Sequence, residues 1–264
     1  MIYPPKGSRI RLRAHVRPHA LRELVAVPEF LDRYAYALRI KRRVNFVYDP
    51  SLTTSAGMTL EVGDFIEWKV MGAMTTIRTA EYEFALLHEL CHIKLAEAVD
   101  ALNGAFEPAS WLDAHEAPVL LHPIYTYVLD AVADEYLLAN FPNYYDVFKE
   151  EVGLMLNSAR EEAVAPITGE DRLYAGAACG FAVRFGVCDW RDVEDIISTY
   201  DNEDIVRAFT NLPKNSWTYG APVVEEAVNS ILAALKIRAR IRGVPSTLLA
   251  RYDSLPLTVW RVER

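Results

Sequence analysis

The stretch Phe84-Ala85-Leu86-Leu87-His88-Glu89-Leu90-Cys91-His92 contains H-E-x-x-H inside an apolar-rich run without Gly or Pro. On a helix, residues i and i+4 lie on one face about one turn apart. His88 and His92 can therefore aim two imidazole nitrogens at one point, a pair of ligands that suits tetrahedral zinc. Glu89 stands beside them, where a carboxylate can take a proton from metal-bound water. The flanks Phe84, Ala85, Leu86, Leu87, Leu90 and Ile93 make the helix apolar nearly all round, which predicts burial. Thr79 is the expected N-cap, with Glu81 and Glu83 in the first turn.

Two histidines need a third ligand. A second helix is expected over Pro123–Ala139, closed by Asn140-Phe141-Pro142. It carries Asp130-Ala131-Val132-Ala133-Asp134-Glu135-Tyr136, where Asp130 and Asp134 share a face and the alanines leave room for close approach. Carboxylates on so apolar a helix need positive partners. A metal for one, and the outer nitrogen of a ligating histidine for the other, would answer that need. An exposed acidic face is the bland alternative.

HELCH followed by D-x-x-A-D-E-Y resembles the gluzincin class of zinc metallopeptidases over about 80 residues, from Val62 to Asn140. The resemblance implies one zinc ion held by His88, His92 and Asp130, with Glu89 as the catalytic base and Asp134 orienting a histidine. Asp130 stands where the class has Glu, so Glu135 remains an alternative third ligand, and His115 and His122 are weaker ones. The implied activity is hydrolysis of a peptide bond in a peptide or protein substrate by metal-activated water, with Glu89 as general base. Tyr125, Tyr127, Tyr136, Tyr144, Tyr145, His115 and His122 are all candidates to stabilise the oxyanion.

The implied fold is α+β and zincin-like: a small N-terminal β-sheet, then the HExxH helix, then a mainly α-helical C-terminal half. Strands are expected around Ile10–Val16, Val44–Tyr48, Met58–Val62 and Ile66–Val70, with a hairpin turn at Gly63-Asp64. Between them, Ala20–Arg43 reads as a helix disturbed at Pro28. Helices are expected over Asp146–Val164, Arg172–Phe185, Trp190–Tyr200, Asp204–Leu212 and Pro222–Ile241, before a tail from Gly243. Residues 1–142 would form the catalytic domain and 143–264 a helical portion packed with it.

Composition bounds the alternatives. A chain of 264 residues with 52% hydrophobic and 24% charged residues is ordinary for a globular protein. It has no 18-residue apolar run, no secretory h-region, and three cysteines without C-x-x-C spacing, so a cytoplasmic protein without a membrane partner is expected. The net charge of −8 is uneven: residues 1–43 hold 11 basic and 3 acidic residues. Ile10, Leu12, Ala14 and Val16 alternate there with Arg9, Arg11, Arg13, His15 and Arg17, giving one basic face. That face supports a second hypothesis, a non-catalytic interaction protein on a zincin scaffold that meets nucleic acid. A basic strand lying on the acidic body is the favoured reading of the same feature. In a third hypothesis the HExxH is accidental within a helical bundle.

Overall fold

In the computed structural model, residues 10–14, 33–40, 43–49, 57–60, 65–71, 80–98, 104–106, 117–161, 166–245 and 258–263 are described. Side chains are described for 33–40, 83–95, 120–161, 166–244 and 260–263. The chain forms two compact units, Met1–Ala98 with Thr247–Leu255, and Val99–Ser246 with Pro256–Arg264.

In the first unit, β1 (Ile10–Ala14), β2 (Arg43–Asp49), β3 (Gly57–Leu60) and β4 (Phe65–Met71) pair in the order β1-β2-β4-β3. β1 and β4 run parallel to β2, and β3 runs antiparallel to β4. Register sets Ile10, Val44, Ile66 and Leu60 across from one another, and likewise Leu12, Phe46, Trp68 and Met58. Arg11 stands in the next row, with Asn45, Glu67 and Thr59. Residues 33–37 form a short helix, α1. The expected Thr79 cap, the Gly63-Asp64 turn, the Pro28 break and His115 lie outside the described residues. Helix α2 (Ala80–Ala98) carries the H-E-x-x-H segment. Its Phe84, Leu86, Leu87, Leu90, Cys91, Ile93 and Leu95 are all buried, as an all-round apolar helix requires.

The second unit is built on helices. They are α3 (Ala117–Asn140), α4 (Tyr145–Glu161), α5 (Gly169–Arg184), α6 (Glu194–Tyr200), α7 (Glu203–Thr210) and α8 (Ala221–Ala234). α3 starts earlier than expected and holds Pro123 inside it. Pro118 occupies its first turn, where a missing N–H costs nothing. Burial of Leu120, Leu121 and Ile124 offsets the interior proline. On α4, Phe148, Val152, Leu156 and Ala159 form one buried stripe. α5 and α7 come close through glycine: a Cβ on Gly176 would lie 2.5 Å from Ile205 Cγ2, and one on Gly180 would lie 2.6 Å from Phe209 Cβ. Any side chain at either position would force the helices apart.

A three-stranded sheet completes this unit: β5 (Gly104–Phe106), β7 (Thr258–Glu263) and β6 (Arg240–Pro245), in the order β5-β7-β6. Ile241, Trp260 and Val262 are buried while Arg240, Arg242, Arg261 and Glu263 are exposed, the period-two signature of a sheet covered on one face. Among the described strands β6 is an edge, and α8 covers it with side chains. Ile241 N–H donates to Asn229 Oδ1 (2.7 Å), Asn229 Nδ2 donates to Ile241 O (2.9 Å), and Gly243 N–H donates to Glu225 Oε2 (3.0 Å). Those groups are thereby unavailable for pairing with a further strand.

These elements correct the α+β zincin-like layout. Among the residues whose side chains are described, 76% are helical. The fold there is therefore mostly helical, and the strands with described side chains, β6 and β7, lie at the C-terminal end. The helix expected over Pro222–Ile241 stops at Ala234, with Lys236 in the left-handed region at φ 59°. Beyond it, the segment expected as a tail pairs as β6 and β7. Alternation of Ala239 and Ile241 with Arg240 and Arg242 drives that outcome, because only an extended chain puts both apolar residues on one face.

Candidate metal centre

On α2, His88 and His92 lie one turn apart with ring centroids separated by 4.6 Å and planes at 79°. Their Nε2 atoms are 2.9 Å apart. Such an approach requires one imidazole to present N–H and the other a lone pair, or both to present lone pairs to one cation. Phe84 packs one turn before His88, at a centroid distance of 6.4 Å. Both histidines are half-buried, and Glu89 between them is buried at 9% exposure.

On α3, Asp130 is half-buried, whereas Asp134, one turn on, is buried at 5% exposure. Ala131 and Ala133 are fully buried. Tyr127, one turn before Asp130, has its hydroxyl pushed above the ordinary phenol range, first by burial and then by Tyr174 and Asp130.

One ligand atom from each of His88, His92 and Asp130 lies within 4.8 Å of the other two, so this group could hold a metal ion. The donor set fits one. Two imidazoles and a carboxylate are borderline ligands suited to zinc and its neighbours. Around a tetrahedral centre with bonds near 2.05 Å, ligand atoms sit roughly 3.3 Å apart. The two imidazole Nε2 atoms, 2.9 Å apart, come near that value.

Glu135 does something else. Its Oε2 accepts from Arg184 Nη2 (2.8 Å), from the Ser216 hydroxyl (2.6 Å) and from Ser216 N–H (3.1 Å), while Oε1 accepts from Asn215 N–H (2.9 Å). Arg184 also donates to the carbonyls of Leu212 (2.5 Å) and Pro213 (3.1 Å). The alternative third ligand is thus engaged in tying α3 to α5 and to the segment before α8. Reading from spacing alone missed this cluster, whose members stand 49 and 81 residues away.

Among the oxyanion candidates, Tyr125 accepts from Trp260 Nε1 (3.0 Å) and is buried. The Tyr145 hydroxyl donates to the carbonyls of Phe185 and Gly186, each at 3.1 Å. Tyr136 packs edge-on against Trp217, and Tyr144 is buried. His122 is exposed on α3. No helix among the described residues is long and apolar enough to cross a membrane. No protein-family model, curated protein or solved structure matches the chain.

Proposed function

We propose that this chain is a metal-dependent peptide hydrolase, with zinc held by His88, His92 and Asp130. The observation that carries the reading is the convergence of those three ligand atoms within 4.8 Å. When bound, such an ion supplies Lewis acidity to a water and to a carbonyl. Glu89 is the base: it is buried next to His88, and a carboxylate so placed can take a proton from water and return it to a leaving amine. Asp134 is assigned to orient a ligating imidazole through its outer nitrogen, which fixes tautomer and ring angle. The proposed setting is the cytoplasm, in keeping with three free thiols at Cys91, Cys179 and Cys188.

The test has two parts. Purified protein should contain one equivalent of zinc by elemental analysis, and a peptide-library digest should yield a cleaved substrate. Glu89→Gln preserves side-chain size but removes the base. It should keep its zinc while hydrolysis falls by a factor of about 100 or more. Protein without stoichiometric metal, or a Glu89→Gln variant that cleaves at the parent rate, would overturn the proposal.

A further inference from the structure

The segment Lys236-Ile237-Arg238-Ala239-Arg240-Ile241-Arg242 alternates cations with apolar residues without a break. Ala239 and Ile241 are buried, while Lys236, Arg238, Arg240 and Arg242 are exposed. On β7, the exposed Arg261 stands directly across from Arg242, and the exposed Glu263 across from Arg240. β5 pairs only with Thr258–Trp260 of β7, so among the described residues the sheet is two strands wide where the arginines gather. A cleft of about 500 Å³ beside the row is lined by Arg238 and Arg240 together with Asn229, Ser230 and Glu226.

A solvated charged face normally satisfies itself. Here no side-chain hydrogen bond or ion pair among the described residues engages Arg238, Arg240, Arg242 or Glu263. This concentration of positive charge occurs in a chain whose net charge is −8. At roughly 3.3 Å per residue, Arg240 and Arg242 stand about 7 Å apart along β6, and Arg238 lies two residues before Arg240. Duplex nucleic acid presents one negative charge per about 1.7 Å of axis, so it can occupy every cation of such a row at once. Most of these cations are Arg, whose planar fork grips phosphate through two parallel hydrogen bonds where Lys offers a point charge.

We propose that the exposed β6–β7 face is a docking surface for the phosphate backbone of nucleic acid. Contact is to phosphates without base reading, so binding is independent of sequence and strongly dependent on salt. Because β6's outer edge is already bonded to Asn229 and Glu225, the face acts through side chains and not by adding a strand.

The experiment is fluorescence anisotropy with a labelled 20-base-pair DNA duplex of arbitrary sequence, titrated with the full chain at several salt concentrations. The unmodified protein should bind, and affinity should fall linearly with salt on logarithmic axes. The triple variant Arg238→Gln, Arg240→Gln, Arg242→Gln should bind roughly tenfold or more weakly, with a slope lower by about 2 to 3, near 0.9 per lost phosphate contact. These positions are exposed, so its melting temperature should match the parent's. No binding by the unmodified protein at low salt would overturn the proposal. So would triple-variant binding within twofold of the parent, or loss only on neutralising Arg9, Arg11 and Arg13. Equal affinity for a poly-glutamate peptide would assign the face to an acidic protein partner and overturn it as well.

Discussion

Asp130 and Glu135 stand five residues apart on α3, and their surroundings ask different things of them. Asp130 is half-buried and offers an oxygen within 4.8 Å of two imidazole nitrogens. Glu135 faces a guanidinium that is almost wholly enclosed, with 7% of the Arg184 side chain exposed. The two alanine variants should therefore fail in opposite ways. Asp130→Ala should lose zinc towards background with little change in the melting of the metal-free protein. Glu135→Ala should hold zinc near the parent level but lose stability on the order of 3 kcal/mol, because it strands a buried cation. Elemental analysis and thermal melting on both variants check this, and retention of zinc by Asp130→Ala with its loss from Glu135→Ala would exchange the two roles. The H-E-x-x-H pair was legible because its geometry is set within one helical turn. Glu135's role was not, since Arg184 and Ser216 reach it only through tertiary packing.

At the scale of elements, α5 begins with a capping box that reading the helix from Arg172 overlooks, although Thr168-Gly169-Glu170-Asp171 carries the pattern. Thr168 N–H donates to Asp171 Oδ2 (2.7 Å), and Asp171 N–H donates to Thr168 Oγ1 (3.2 Å). The Thr168 N–H, and then its hydroxyl, hold the Asp171 carboxyl below the usual range. A depressed folded pKa stabilises above the unfolded value near 3.9, and that contribution is lost as pH falls through the folded value. Thr168→Ala should therefore cost about 1 kcal/mol at pH 7 in urea unfolding, and the gap to the parent should narrow below pH 4. A gap that stays constant to pH 2.5 would show that the carboxylate takes no part in the cap. Helices α4 to α7 were legible from period and punctuation alone. β6 was not, because Gly243 and Pro245 looked like a tail while the deciding signal was the Ala239/Ile241 alternation.

At the scale of the whole molecule, β7, the last of the described strands, is central to the three-stranded sheet of the second unit. β7 lies between β5, which precedes α3, and β6, which follows α8, so this sheet forms only when residues about 150 apart meet. Nothing local in the sequence announces such a pairing, which is why the resemblance of one motif segment to a known class did not carry the fold. Trp260 marks the junction. It is fully buried, packs edge-on against Tyr125 at a centroid distance of 5.7 Å, and donates Nε1–H to the Tyr125 hydroxyl at 3.0 Å. Two substitutions separate its contributions. Trp260→Phe keeps an aromatic ring but removes the donor, and should cost about 1 kcal/mol for the hydrogen bond plus whatever the smaller ring leaves unfilled. Trp260→Ala should cost about 3 to 5 kcal/mol, the penalty for emptying an aromatic-sized core position. Equilibrium unfolding should rank parent above Trp260→Phe above Trp260→Ala. An alanine variant within about 0.5 kcal/mol of the parent, the range of ordinary surface substitutions, would mean that β7 merely rests on the helices without holding them.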